Sequence, residues 1–215
     1  APLEGGEVRL RLAGLSHASD DPFGTDLKDI HLDVHSGEIV GIAGVSGNGQ
    51  KELMAALSGE RKLSNPEAVM LLGRAVGRLD AAQRRSLGLA FVPEERLGRG
   101  AVPEMSLADN ALLTAHREGM VARGFVRADV VRAYAAETIR AYGVKAGGPD
   151  AAARSLSGGN LQKFIVGREI RQQPKVMIAA QPTWGVDVGA AAQIRQALLD
   201  LRDSVSFADD PTLAI

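Results

Sequence analysis

The sequence contains no cysteine, no long uninterrupted apolar run and no excess of either charge. Without cysteine, a disulfide scaffold, a zinc–thiolate site and a catalytic thiol are all excluded. No apolar stretch approaches the ~18 residues that a membrane-spanning helix needs. Lysine and arginine total 25 against 26 aspartate and glutamate, which gives a net charge of −1. This balance argues against a broad basic surface, and we expect no nucleic-acid partner.

The chain has 215 residues, of which 45% are hydrophobic and 24% are charged. This is the composition of a globular domain that is long enough to bury a full core. Residues 1–7 are polar and rich in glycine, with neither an initiator methionine nor a signal peptide. We therefore expect one domain that has been cut from a longer chain.

Alternating apolar and polar residues indicate β structure near the N-terminus. Residues 8–15 and 27–35 both alternate in this way, as half-buried strands do. A turn-rich stretch over residues 16–25 separates them. The pattern predicts a small antiparallel sheet that is separate from the rest of the fold.

A phosphate-binding unit is predicted next along the chain. Residues 39–43 form a short apolar run, typical of a strand that is buried on both faces. A glycine-rich loop follows over 44–49, then good helix formers over 52–57, and Gly59 predicts the end of the helix. Strand, glycine loop and helix in this order form the phosphate-binding βα unit.

Further strands and helices complete the predicted α/β fold. Buried strands are predicted at 87–92 and 176–180. Between them, a capping box at 106–109 starts a helix that continues to about Arg117, and a second helix spans 127–142.

The glycine loop reads G-V-S-G-N-G-Q-K over residues 44–51. The phosphate-binding pattern G-x-x-x-x-G-K-[ST] is matched at its two glycines, which let backbone N–H groups face a phosphate. Gln50 stands in place of the phosphate-binding lysine, and Lys51 stands in place of the magnesium-binding hydroxyl. Taken alone, the loop is explained equally well as a glycine-rich turn that has no ligand.

Two more motifs carry candidate chemistry. Residues 156–163 read L-S-G-G-N-L-Q-K and place a serine and two glycines at the start of a helix, where free N–H groups bind anions. The alternative is an ordinary serine N-cap with glycines in the turn, and spacing alone favours that alternative. Residues 181–187 read Q-P-T-W-G-V-D after the strand at 176–180, and the alternative there is a core strand followed by a turn.

In order and spacing, these motifs resemble those of the ATP-binding cassette family. The octapeptide at 156–163 resembles the family's signature motif, with the asparagine of its sugar-importer branch. V-P-E-E-R over 92–96, followed by Gly100 and by M-S-L-A-D-N over 105–110, resembles the Q-loop region of the same branch. The glycine loop resembles that of the second cassette in tandem ATPases of ribose, galactose or nucleoside importers. The resemblance covers residues 8–203.

The resemblance implies a P-loop NTPase fold of the α/β class, with an N-terminal antiparallel β subdomain and an inserted helical subdomain. It divides a single domain, residues 1–215, into a β subdomain with P-loop core (8–96), a helical subdomain (97–155) and a signature helix with Walker B core (156–203). Family members continue with another buried strand, which the sequence after Asp203 does not predict, so we expect the C-terminal part of the cassette to be incomplete.

The resemblance also implies roles for individual residues. The expected ATP contacts are Gly44, Ser46, Gly47, Asn48, Gly49, Gln50, Lys51 and Glu52. Phe23 is the aromatic expected to stack on adenine, and His17 is a less favoured candidate for the same role. The alternative for Phe23 is packing on the small sheet. The expected signature residues are Leu156, Ser157, Gly158, Gly159, Asn160 and Gln162. Of these, Ser157, Gly158 and Gly159 match the family's contacts to the γ-phosphate of a nucleotide that the opposite cassette holds. Asp187 matches the D-loop aspartate at the dimer seam.

Departures from the family pattern argue against catalysis at the domain's own loop. ATP hydrolysis needs a cationic clamp on the phosphates and a group that orients water. Besides the changes at Gln50 and Lys51, Ala180 stands at the Walker B aspartate and Gln181 at the catalytic glutamate. Gln181 can hydrogen-bond a water but cannot take its proton. Glu94, at the Q-loop glutamine, offers one hard oxygen for a weak Mg²⁺ site.

The function implied is the nucleotide-binding domain of a bacterial importer, peripheral on the cytoplasmic face of the inner membrane. The expected cofactors are ATP and Mg²⁺. The expected partners are a second cassette, transmembrane permease subunits and, indirectly, a periplasmic or lipoprotein substrate-binding protein, with a sugar or nucleoside as cargo. A non-hydrolytic regulatory or assembly module is the alternative. A cassette that acts on ribosomes or DNA is disfavoured by the near-neutral charge and by Asn160.

Overall fold

The computed structural model describes residues 6–45 and 47–204. Within this part, the chain forms two compact units. The first unit holds residues 6–91, 174–178 and 200–204, and the second holds residues 92–173 and 179–199.

The described strands, in chain order, are β1 Val8–His17, β2 Leu27–His35, β3 Val69–Leu71, β4 Arg74–Ala75, β5 Leu89–Val92, β6 Val121–Ala122, β7 Phe125–Val126 and β8 Val176–Ala179. The helices are α1 Gln50–Ser58, α2 Ala81–Ser86, α3 Leu107–Ala115, α4 Ala128–Ala141, α5 Gly158–Ile170 and α6 Val188–Asp203. Two single 3₁₀ turns lie at Pro66–Ala68 and Ala153–Ser155. None of the helices in the described residues is long and apolar enough to cross a membrane.

The first unit contains a four-stranded sheet with the order β2-β1-β3-β4. β1 pairs antiparallel with β2, where Leu12 faces Leu32, and with β3, where Leu12 faces Val69. The alternation in β1 buries Leu10 and Leu12, and a register shift after Leu12 places Leu15 in the core as well. The predicted antiparallel sheet is therefore confirmed. Its third and fourth strands have only three and two residues, too few for alternation to reveal them.

Two glycines with positive φ set the limits of α1. Gly49 at the N-cap has φ 91° and Gly59 at the C-cap has φ 85°, a backbone region that glycine enters without steric cost. Leu53 and Leu57 are buried in the same cluster as the sheet's inner face. The predicted helix and its end at Gly59 are confirmed, and the helix begins at Gln50.

The prediction of a buried strand at 39–43 is wrong. These residues form no strand, and Ile39 and Ile42 are 42% and 52% exposed. An apolar run becomes a buried strand only when neighbouring strands hydrogen-bond to its edges and other elements cover its faces. Within residues 6–45 and 47–204, no strand pairs with this segment, so its apolar side chains stay partly in solvent.

The two other predicted strands are confirmed as β5 and β8, which pair with each other. The carbonyl of Gly88 accepts hydrogen bonds from Lys175 N at 2.8 Å and Val176 N at 3.2 Å, and Ala180 N donates to Val92 O at 2.9 Å. The partners advance together along both segments, so the pair is parallel. Each strand is slightly shorter than predicted.

The second unit is mostly helical. Ser106 caps α3 by accepting the Asp109 N–H, as predicted, and α4 matches the second predicted helix. Arg168 on α5 is buried, and its guanidinium donates to Asn110 O on α3 and to Gly100 O in the preceding loop. These bonds fix α5 against the segment that leads into α3. The predicted subdomain boundaries at 8–96, 97–155 and 156–203 stay predictions.

Candidate functional site

The predicted site residues fall into two groups. The glycine loop, Phe23 and Glu52 lie in the first unit, and Glu94, Gln181, the signature residues and Asp187 lie in the second. Ser46 lies outside the described residues. Each group is therefore described by itself.

The glycine loop leads directly into the N-terminus of α1. Gly47 has φ 90° and open space around the position of a Cβ, whereas Gly49 packs against Thr25 and Leu27. Leu53 N donates to Gly49 O, the first i to i−4 bond of the helix. The N–H groups before Leu53 have no intrahelical acceptor, which is the property that makes a helix N-terminus suitable for phosphate.

The side chain of Gln50 crosses this loop. Its Oε1 accepts the Asn48 N–H at 3.0 Å, and its Nε2 donates to Val45 O at 2.9 Å. A Cβ at Gly44 would lie 2.7 Å from the same Nε2. The residue at the lysine position thus binds to the loop's own backbone. Lys51 is exposed at the start of α1.

Thr25 connects the Phe23 segment to the loop and to α1. Thr25 N donates to Glu52 Oε1 at 3.1 Å, and Thr25 Oγ1 donates to Gly47 O at 2.8 Å. Phe23 itself is 97% exposed, so the alternative that it packs on the small sheet is wrong. His17 is the last residue of β1, and its Nε2 is buried without a hydrogen-bond partner in the described residues.

In the second unit, Ser157 is the N-cap of α5. Its Oγ accepts the Asn160 backbone N–H at 3.4 Å and the Asn160 Nδ2–H at 2.9 Å. The Asn160 Oδ1 in turn accepts the Lys145 N–H at 2.8 Å. Asn160 therefore fixes the capping serine and ties it to the loop after α4. The N-cap alternative is correct as a description of Ser157, and it does not exclude anion binding at the same terminus.

The D-loop, residues 181–187, lies so close to the start of α5 that position 159 has no room for a side chain. A Cβ at Gly159 would lie 2.8 Å from Asp187 Oδ2, whereas Gly158 is exposed. Asp187 Oδ1 accepts the Ala190 N–H at 2.8 Å and so caps α6. That hydrogen bond, with weaker help from the Gly189 N–H and from the charge of Lys163, lowers the pKa of Asp187 below its ordinary value.

Arg96 and Gln162 both donate hydrogen bonds to backbone carbonyls of the D-loop. Both Nη atoms of Arg96 donate to Trp184 O at 3.1 Å, and Nη2 reaches Gly185 O at 3.4 Å. Gln162 is 2% exposed and donates from Nε2 to Pro182 O at 3.0 Å. The sequence motifs had not indicated a role for Arg96. Its bonds join positions 88 and 89 residues apart, which no local pattern reveals.

Gln181 begins the D-loop turn. It has φ 46°, and its carbonyl accepts the Trp184 N–H at 3.0 Å. The side chains of Gln181 and Glu94 are both exposed, and Leu156 precedes the cap at the end of a 3₁₀ turn.

The described residues suit phosphate better than magnesium. A glycine-rich backbone at a helix N-terminus provides N–H groups of the type that bind phosphate, although the Asn48 N–H donates to Gln50 Oε1 in this structure. No group of three or more histidine, aspartate or glutamate side chains could hold a metal ion within the described part of the chain. Mg²⁺ needs several hard oxygen ligands, and a single exposed Glu94 does not provide them.

Comparison with known proteins identifies the family. The model of the ABC transporter family matches residues 27–184. The chain belongs to this family of ATP-binding cassettes, as the motifs had indicated.

Two curated relatives are importer ATP-binding proteins. The chain is 42% identical over 201 residues to the glucose import ATP-binding protein TsgD13 of Haloferax volcanii, and 38% identical over 178 residues to the nucleoside import ATP-binding protein NupA of Lactococcus lactis subsp. cremoris. These matches cover 92% and 82% of this chain but only 36% and 35% of the relatives. The chain thus spans about a third of their length.

Solved cassettes have the same fold. The dimeric structure of a post-hydrolysis state of the ATP-binding cassette MJ0796, bound to ADP and Pi, matches with a TM-score of 0.75 and 22% identity, over 95% of this chain and 85% of that one. A nucleotide-free cassette from an ABC transporter matches with a TM-score of 0.71 and 19% identity, over 92% and 78% of the two chains. The predicted ABC ATPase fold is confirmed.

Proposed function

We propose that this chain is an importer cassette that completes the nucleotide site of a second cassette through its signature motif. Its own glycine loop binds nucleotide weakly and contributes little hydrolysis. Together the two cassettes bind ATP at their interface and drive uptake through transmembrane permease subunits.

The hydrogen bonds of Ser157 carry this proposal. A serine hydroxyl has two acceptor lone pairs and one O–H donor. The two N–H groups of Asn160 use both lone pairs, so the O–H is what Ser157 has left to offer. A donor at a helix N-terminus suits the oxygen of a phosphate, whose developing charge such groups stabilise during transfer.

Arg96 adds positive charge beside the same terminus. Its guanidinium carbon would lie 3.7 Å from a Cβ at Gly158. The absence of that Cβ leaves room above the first turn of α5 for a ligand. Hydroxyl, helix terminus and guanidinium therefore all favour an anion at this position.

The chain's own glycine loop and the residues after β8 lack the groups that hydrolysis requires. Gln50 binds the loop, Lys51 is exposed, and Ala180 and Gln181 offer neither a carboxylate for magnesium nor a base. This contrast with the start of α5 supports a division of labour with a second cassette, to which this chain supplies the signature.

The relatives support the cargo and the location. TsgD13 and NupA are named for glucose and nucleoside import, and we propose a sugar or nucleoside as the transported molecule. They are also about three times as long as this chain, which supports a tandem arrangement with a second cassette. In that arrangement the protein lies peripherally on the cytoplasmic face of the membrane, and a substrate-binding protein delivers the cargo to the permease.

The test is ATP hydrolysis by this chain mixed with a cassette that retains the lysine, hydroxyl, aspartate and glutamate. The mixture should hydrolyse ATP, and Ser157→Arg should abolish the activity because the arginine fills the space in front of α5. Ser155→Arg is the matched control, since Ser155 is also exposed and lies two residues away.

Thermal melting of each variant separates function from folding. Ser157→Arg loses an N-cap worth about 1 kcal/mol, so the variant should remain folded. This chain alone should turn over far below ~1 per second, the lower end of ordinary enzymes. Hydrolysis by the Ser157→Arg mixture at the parent rate would show that the signature does not act on the partner's nucleotide.

A non-hydrolytic regulatory or assembly module is the second candidate, and the Gln50 contacts across the loop favour it. The same mixture distinguishes the two proposals. A regulatory module would leave the partner's hydrolysis unaffected by Ser157→Arg while still binding the partner.

A further inference from the structure

We propose that Gln50 is a built-in substitute for a phosphate, whose carboxamide must leave the glycine loop before a nucleotide can bind there. The proposal rests on the proposed weak nucleotide binding at this loop and explains the weakness by competition. It differs from the simpler explanation that affinity is low only because a lysine is missing.

The geometry of the carboxamide is the first support. The Asn48 N–H, which also points toward Val45 O at 3.2 Å, donates to Gln50 Oε1 at 3.0 Å. Backbone N–H groups of this kind of loop are the donors that receive phosphate oxygens. A carboxamide oxygen is an acceptor of the same type, so it takes a place that a phosphate oxygen would use.

The second contact closes the loop. Gln50 Nε2 donates to Val45 O at 2.9 Å, and the space beside Gly44 is so filled that a Cβ there would lie 2.7 Å from Nε2. The side chain therefore uses both of its polar atoms to bind the loop backbone, Oε1 at Asn48 and Nε2 at Val45. A lysine could not do the same, because its ammonium has donors but no acceptor.

The contact is also reversible. Gln50 is only partly buried and sits on the first turn of α1, so its side chain can rotate into solvent without moving the helix. Two ordinary hydrogen bonds would be exchanged for bonds to water, which costs little. The loop is thus closed by a weak contact that a nucleotide can displace.

The test is the affinity for ATP, measured by titration calorimetry in EDTA for the parent chain and for Gln50→Ala. Alanine removes both contacts, leaves the Asn48 N–H with only its longer bond to Val45 O, and suits a helix. We expect Gln50→Ala to bind ATP about tenfold more tightly than the parent, which corresponds to ~1.4 kcal/mol. Loss of a useful binding residue would instead give unchanged or weaker binding.

Gln193→Ala is the matched control, because Gln193 is an exposed glutamine on α6. Its affinity for ATP should equal that of the parent. Melting temperatures with and without ATP provide a second measurement, since tighter binding raises the melting temperature further. Gln50→Ala should therefore gain more from ATP than the parent does.

Three outcomes have a defined meaning. Tighter binding by Gln50→Ala supports the proposal. Binding equal to or weaker than that of the parent overturns it. If neither protein binds ATP while the mixed cassettes still depend on Ser157, the loop is not a phosphate site at all, which overturns this proposal and leaves the signature's proposed role standing.

Discussion

Replacing Arg84 should destabilise the helix that begins at the glycine loop. Arg84 has no solvent exposure, and its guanidinium donates to carbonyls in the last turn of α1. Nη1 reaches Ala56 O at 2.5 Å and Leu57 O at 2.8 Å, and Nη2 reaches Gly77 O at 3.2 Å. A helix C-terminus leaves such carbonyls without intrahelical donors, so Arg84 supplies the bonds that this buried end requires.

The size of the effect follows from these partners. Gly77 O keeps the Leu63 N–H at 2.8 Å, and Leu79 O, which accepts from Arg84 Nε at 3.2 Å, is only partly buried. Arg84→Met therefore deprives chiefly the buried carbonyls of Ala56 and Leu57 of a donor. Each buried carbonyl left unpaired costs ~1–3 kcal/mol. Burial lowers the pKa of Arg84 to about 10, which shows that its charge is costly to bury, and removing that charge offsets part of the loss. The net expectation is about 3 kcal/mol.

Urea unfolding measures the difference directly. Arg74→Met is the control, because Arg74 is exposed on the short strand β4, and its free energy of unfolding should change by less than ~0.5 kcal/mol. A loss below ~1 kcal/mol for Arg84→Met would refute the argument, since the carbonyls would then find other partners at little cost.

Two further predictions concern the glycine loop and Asp187. ATP bound at the glycine loop should keep its affinity within about tenfold when Mg²⁺ is replaced by EDTA in calorimetry, because Lys51 and Ala180 cannot ligate the ion; a larger loss would reveal another metal site. The lowered pKa of Asp187 means that its ionised form stabilises the fold above the ordinary carboxyl pKa of about 3.9, and that this contribution is lost as pH falls through its lower folded-state pKa. Asp187→Asn should remove that acid-dependent part of the urea midpoint, and identical pH profiles would contradict the assignment.

Local signals predicted the helices well. Ser106 with Asp109 and Gly59 are capping signals that act within one helical turn, and the structure has α3 and α1 where these signals place them. The short helix α2 carries a similar signal that could have revealed it, because Asp80 and Gln83 form a capping box. Such features succeed because the groups that decide them are neighbours in sequence.

Tertiary features were harder to predict. The apolar run at 39–43 indicated a buried strand, but burial depends on neighbours that the local pattern does not contain. Arg96 was missed as a residue that holds the D-loop for the same reason. The motif at 156–163 indicated a fold and a partner only through its resemblance to a family, because the residues of the motif do not specify tertiary contacts by themselves.

The two groups of site residues differ in how their polar atoms are satisfied, and that difference is not visible in the motifs. In the glycine loop, the Asn48 N–H and Val45 O find partners in Gln50, so these two groups are satisfied without a ligand. At the start of α5, Asn160 occupies only the acceptor capacity of Ser157 and leaves its donor. A donor at a positive helix terminus gains most from an anion. Substitution of Gln50 alters the hydrogen bonds of the glycine loop and should leave those of Ser157 unchanged. The two groups of site residues can therefore be tested independently.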